Sequence, residues 1–182
     1  LYKAVQIPGT DNWERTGALY VGSNDKKIIS ITSKSTNEVW IGSTKAGVLR
    51  TINNGGAWSG RDMMQTTLIF KLMADSRNDV YSCTNYGVYR QDTGAGWIEK
   101  NTGLPVPIII YDLLEDRAGN LYAATFGDGI YRSTNRGDEW VKFSAGLRNT
   151  FTRGLTLDAD GTLYAATNGG IYKLVNGESE WQ

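Results

Sequence analysis

One motif recurs four times at an almost constant interval. Leu121–Trp140 reads LYAATFGDGIYRSTNRGDEW, and related stretches run Val39–Trp58, Val80–Trp97 and Leu163–Trp181. Their first aromatics, Trp40, Tyr81, Tyr122 and Tyr164, lie 41, 41 and 42 residues apart. Each copy holds two short runs of alternating apolar and polar residues, a Gly/Asn turn and a terminal Trp. One such unit is too small to bury its apolar faces alone, so the copies must pack on one another.

A period of roughly 40–45 residues filled by short strands and tight turns predicts an all-β architecture, a β-propeller of four-stranded antiparallel blades. Each blade is read as strands A to D from the axis outward. The blades are expected over about 26–60, 68–100, 108–143 and 151–182, preceded by a half blade over 1–16. Leu1-Tyr2-Lys3 followed by Trp13 matches the second half of the repeat, and Thr16 to Asp25 is a connection. Strand D of the fourth blade is placed at Glu180–Gln182, and Ile108-Ile109-Ile110 inside an inner strand buried on both faces. The small residues Ala123, Ala124, Ala165 and Ala166 on the B strands let neighbouring blades approach closely. Four and a half blades leave a half-blade edge open. The chain is therefore expected to belong to a larger ring or to self-associate through that edge. Leu1-Tyr2-Lys3 has neither an initiator Met nor a signal-peptide core, which reads as a cut, mature or partial chain.

Composition narrows the chemistry. Lys+Arg and Asp+Glu both number 19 in 182 residues, so no net charge draws the chain to nucleic acid or anionic membrane. No apolar run approaches the ~20 residues of a membrane-spanning helix. His is absent, which removes the commonest general base and zinc ligand. Cys83 is the single cysteine and reads as a small buried residue rather than an activated thiol. No catalytic residue, metal site or cofactor motif emerges. Asp158-Ala159-Asp160-Gly161 resembles the start of a calcium loop, but the position for its last carboxylate is Gly169. Those residues also suit a tight A–B turn.

Ser133-x-Asn135-x-Gly137-x-x-Trp140 resembles the Asp-box of the bacterial neuraminidase (BNR) repeat, and Thr51-x-Asn53-x-Gly55-x-x-Trp58 resembles it with Thr for Ser. Gln91–Trp97 is one residue short, and Leu174–Trp181 has Gly177 one place early. The Leu-Tyr-x-x-Thr…Gly-Ile-Tyr part is also similar to the propeller repeats of two-component regulators. The resemblance implies a propeller and an extracytoplasmic bacterial protein; among its functions are sialidases, xyloglucan hydrolases, sensor ectodomains and assembly factors. It implies a scaffold role for the box: Asn135 and Asn53 bond their own turns, Gly137 and Gly55 take φ > 0, and Trp140 and Trp58 bury large rings.

If strand A runs from top to bottom, the box lies on the bottom face and the B–C and D–A loops lie on top. Tyr86 and Phe126 then occupy equivalent B–C positions, beside Asn85, Asp128 and Asn168. Aromatics next to amides and acids suit stacking on sugar rings or gripping a peptide. The expected function is a non-catalytic binding or sensory module for a glycan or protein ligand. The rival reading is a glycoside hydrolase fragment using loop carboxylates Asp62, Glu99 and Asp128.

Overall fold

The computed structural model describes residues 2–6, 13–18, 27–44, 47–61, 68–91 and 96–182. The chain is all-β, and among these residues there is no helix. A two-stranded ladder comes first, with β1 (Tyr2–Gln6) antiparallel to β2 (Trp13–Ala18). Three four-stranded antiparallel sheets follow in simple up-and-down order. They are β3 (Ile28–Ser33) to β6 (Ser59–Arg61), with β4 (Val39–Ser43) and β5 (Gly47–Thr51) between; β7 (Ile69–Ala74), β8 (Val80–Thr84), β9 (Gly87–Gln91) and β10 (Trp97–Glu99); and β11 (Ile110–Glu115), β12 (Leu121–Thr125), β13 (Ile130–Ser133) and β14 (Val141–Lys142). The last sheet holds three strands, β15 (Thr152–Leu157), β16 (Leu163–Thr167) and β17 (Gly170–Leu174). These four sheets are blades 1 to 4 of a β-propeller.

The fourth blade corrects the expected D strand. Glu180–Gln182 forms no strand; Gln182 exchanges two 2.9 Å backbone bonds with Lys173 and the pairing stops there. The residues before it, Glu178-Ser179-Glu180, are exposed and carry no apolar side chain to hold a longer edge. β2 runs two residues past the expected half blade. The connection 19–26 lies outside the described residues, as do the B–C link 45–46 and the turn at 92–95.

The core sits between blades. Successive strand residues point to opposite faces, so Ala123 joins a cluster with Tyr81, Val88 and Trp140 of the blade 2/3 interface, while Ala124 joins Leu155 and Trp181 of the blade 3/4 interface. Both faces are covered, and β8 and β12 are buried at every position. Small residues are needed there. A Cβ on Gly42 of β4 would lie 2.5 Å from Ile69, and Cys83 stands at the same register position in β8. Burial pushes the Cys83 thiol pKa well up, which keeps it protonated. Ala166 of β16 and Ile171 of β17 are exposed, Ile171 by 77%.

Every inner strand starts with the same irregularity. Ile28, Ile69, Ile110 and Thr152 pair with the last residue of the next strand, and the register then skips one residue. The skipped residues are Ile29, Phe70, Tyr111 and Arg153. A bulge of this kind re-aims one side chain while keeping the strand in its sheet. It also corrects the reading of Ile108-Ile109-Ile110. β11 begins only at Ile110; Ile108 is buried in the loop before it.

Candidate ligand-binding face

The bulges gather a set of side chains at the top of the blades. The Phe70 and Tyr111 rings meet edge to face at 4.9 Å, Tyr111 and Phe126 at 5.7 Å, and Phe126 and Phe151 at 5.0 Å. Phe126 and Phe151 are also joined by an isolated β-bridge. Arg153 completes the group. Its guanidinium carbon lies 4.6 Å from the Tyr111 ring centre and 5.3 Å from that of Phe126. Both distances suit a cation–π contact. Arg153 Nε donates to Asn168 Oδ1 at 3.3 Å, which orients the fork. Phe126 is 40% exposed and Phe151 38%, and Arg153 is exposed beside them.

The five residues anticipated in the B–C loops separate into two groups. Phe126 and Asn168 belong to this cluster. Asn85 accepts from the Leu68 backbone N–H at 2.9 Å, in front of the strand that carries Phe70. Asp128 is half-buried, and its backbone N–H donates to Thr125 Oγ1. Tyr86 is 53% exposed and joins no ring pair among the described residues. Its supposed equivalence with Phe126 needs correction. Phe126 follows Thr125 directly, as Asn85 follows Thr84 and Asn168 follows Thr167; the blade 3 loop is one residue longer. The Thr hydroxyls fix that frame, donating to the carbonyls of Gly87, Gly129 and Gly170.

Phe70, Tyr111, Phe151 and Arg153 are the residues that sequence reasoning missed. The available signal was a spacing of three between buried positions, Ile69 to Leu72 and Ile110 to Leu113. That spacing breaks the period of two and marks a bulge.

Beneath the cluster, the inner strands are tied side by side. Ser30 Oγ accepts from the Leu72 N–H and Asp112 Oδ2 from the Leu155 N–H, both at 2.8 Å. Lys71 stands at the same position between them and offers no acceptor. Instead its Nζ lies 2.5 Å from Asp112 Oδ1. Of the candidate carboxylates, Glu99 and Asp128 lie in different blades. Glu99 is on the outermost strand β10, not in a top loop, and accepts from Asn101 at 3.0 Å. Asp128 is in another blade, and Asp62 lies outside the described residues.

The bottom face holds the turns. Ser133 Oγ donates to Asn135 Oδ1 and accepts from the Gly137 N–H, while Asn135 Oδ1 also accepts from the Glu139 N–H. Thr51, Asn53, Gly55 and Ala57 repeat the pattern. Arg136 and Gly137 have φ of 63° and 81°, Asn54 and Gly55 58° and 90°. Trp140 is 2% exposed, with Nε1 donating to the Lys100 carbonyl of the preceding blade; Trp58 is half-buried. In the A–B turns, Asp75, Asp116 and Asp158 each accept two backbone N–H groups and the hydroxyl of Tyr81, Tyr122 or Tyr164. The Asp158 carboxylate thus serves its own turn. Those backbone bonds, first that from Thr162, hold its pKa below the usual carboxylate value.

No protein-family model matches the sequence, and no curated protein matches it. Solved structures do, and they are β-propellers. The extracellular domain of a putative hybrid two-component system from B. thetaiotaomicron superposes with a TM-score of 0.73 at 19% identity, covering 89% of this chain and 25% of that one. YCF48 bound to D1 peptide gives 0.71 at 22%, covering 96% and 58%. Virginiamycin B lyase from Staphylococcus aureus, with quinupristin, gives 0.73 at 17%, covering 100% and 58%. The chain therefore spans a quarter to about three-fifths of these neighbours. At such identities the likeness is one of fold.

Proposed function

We propose that the chain is a recognition module of a β-propeller, and that it binds its ligand without catalysis on the face carrying Phe126, Phe151, Tyr111 and Arg153. One observation carries the reading: a continuous series of partly exposed aromatic rings, reached by an oriented guanidinium, at the end of the blades where four bulges turn side chains outward. Rings offer stacking area at low entropic cost, and the guanidinium supplies donors for an acceptor or anion. The ligand class that fits pairs a flat or apolar surface with an oxygen acceptor, as in a sugar ring or a peptide side chain. Asn85, Tyr86, Asp128 and Asn168 form the rim.

The Ser133/Asn135/Gly137/Trp140 and Asn53/Gly55/Trp58 turns are read as Asp-box scaffolds of a BNR-type repeat. An extracytoplasmic, sensory setting is supported by neighbours that are extracellular domains of two-component systems. A protein ligand is supported by the peptide bound to YCF48. The half unit β1–β2 and the exposed flank of blade 4 suit joining further blades or a second copy. Screening the chain against glycan and peptide arrays, alongside Phe126→Ala and Arg153→Ala, tests the reading. Ligands held by the parent and lost by both variants support it.

A further inference from the structure

Strand β17 is paired along its inner side but, on its outer side, at Lys173 alone, and the other blades show what completes such a strand. Ile171 stands opposite Ala166, as Val48, Val88 and Ile130 stand opposite Gly42, Cys83 and Ala124. In blades 2 and 3 the backbone of that residue is satisfied from the outer side. The Val88 carbonyl accepts from the Lys100 N–H at 2.9 Å, and the Ile130 carbonyl from the Phe143 N–H at 2.8 Å. The following residue answers the other group: the Val88 N–H donates to Asn101 Oδ1 and the Ile130 N–H to Ser144 Oγ, both at 2.8 Å. In blade 1, Val48 pairs with Arg61 of β6.

Ile171 has neither bond. Lys173 exchanges both of its backbone bonds with Gln182. By the alternation of an antiparallel ladder, Ile171, two residues away, also turns its N–H and C=O outward rather than toward β16. No described residue meets them there. Among the described residues β1 and β2 pair only with each other, so the first strands of the chain do not fill the place. The Ile171 side chain is 77% exposed, whereas Val88 and Ile130 are fully buried. A free donor, a free acceptor and an apolar side chain on one extended edge are what strand addition requires.

We propose that β17 is the docking edge for an extended segment of a partner polypeptide, which adds to blade 4 as its outer strand. Blades 2 and 3 set the chemistry of that segment. One residue supplies an N–H to the Ile171 carbonyl, and the next is a Ser or Asn whose side-chain oxygen accepts from the Ile171 N–H. Residues directly opposite each other share a face, so an apolar side chain on the first of the two lies beside Ile171. Phe143 holds that place in blade 3, where its ring packs against Tyr122. The site is on the outer edge of blade 4 and stands apart from the recognition reading above.

N-acetyl-Lys-Phe-Ser-Ala-Gly-Leu amide copies Lys142–Leu147 and carries the pattern; it can be titrated into the 15N-labelled full chain by NMR. Expected are saturable shifts of the Gly170, Ile171 and Tyr172 amides, with the Ile171 proton moving downfield as it gains an acceptor. The same peptide N-methylated at Phe lacks the donor to the Ile171 carbonyl and should bind at least tenfold more weakly. Replacing its Ser with Ala removes the side-chain acceptor and should weaken binding about fivefold. Ile171→Pro deletes the outward N–H without touching the β16 ladder, a position that tolerates proline. It should keep its Tm while binding falls at least tenfold. No shifts of these amides, equal binding of the N-methylated peptide, or undiminished binding by Ile171→Pro would overturn the proposal. So would shifts of the same amides on raising the protein concentration without peptide, which would seat a second copy on this edge.

Discussion

Arg153 and Tyr111 occupy the same bulged position in adjacent inner strands, and the guanidinium of one lies 4.6 Å from the ring of the other. The bulge turns the second residue of the strand away from the core while the first stays buried. Ile110 is fully buried, whereas Tyr111 is half-buried. Ile110→Ala should therefore cost about 2–5 kcal/mol of folding stability. Tyr111→Ala should cost less, about 1–3 kcal/mol, for its two ring pairs at about 0.5–1.5 kcal/mol each. Urea denaturation of the two variants checks the difference; a reversed order would mean the bulge is misplaced.

Trp140 couples blade 3 to the connection leaving blade 2. Its backbone N–H donates to Thr102 at 2.9 Å and its ring lies in the interface cluster. Trp140→Ala should destabilise by about 3–5 kcal/mol. Gly103 is bound to the same contact, with φ of 86° and a would-be Cβ 2.1 Å from the Trp140 carbonyl oxygen. Gly103→Ala must move that backbone, and thermal melts should show a loss well beyond the ~0.5 kcal/mol of an ordinary surface change.

Asp112 holds three neighbours at once: the Leu155 N–H, its own strand's Leu113 N–H and Lys71 Nζ. Asp112→Ala leaves a buried N–H without an acceptor and should cost about 1–3 kcal/mol. Lys71→Met removes the charge that would be stranded. A double-mutant cycle should return a coupling above about 0.5 kcal/mol; strict additivity would show that the ion pair contributes nothing.

Alkaline pH should weaken the fold over a defined window. Burial, followed for Tyr122 by the neighbouring Asp116 charge, pushes the Tyr81 and Tyr122 pKa values up to about 12. An unfolded tyrosine titrates near ~10. Between these values the unfolded chain has lost protons that the folded chain keeps, so stability is fully present below pH ~10 and falls as pH rises toward ~12. Denaturation midpoints measured across that window should drop, and Tyr122→Phe should flatten the slope. An unchanged slope would place the titration elsewhere.

Much of this fold was legible from sequence because each blade repeats the same burial demand. Leu121–Thr125 and Leu163–Thr167, which open two of the repeated stretches, form strands because both faces of a middle strand select compact apolar residues. The Ser133 and Asn135 turn was legible for a local reason: its bonds close within four residues. The aromatic face was half-visible. Phe126 stands out beside a Gly-rich loop, but Arg153 and Phe151 gain meaning only once a bulge and a neighbouring blade bring them together. The spacing of three from Ile110 to Leu113 marks the skipped register, but which residues the bulged side chain meets depends on the next blade. The missing fourth strand of blade 4 has a similar cause: Trp181 anchors to the Phe143 carbonyl as Trp140 does to that of Lys100, although the polar residues before it do not pair.

The claim that the Arg153–aromatic face is where this propeller meets its ligand is tested most directly by binding on glycan and peptide arrays, comparing the parent with a Phe126→Ala/Arg153→Ala double variant of matched Tm. The account predicts a reproducible set of ligands for the parent and at least a tenfold loss for the variant. Equal binding by both proteins, with the same ligands, would contradict it.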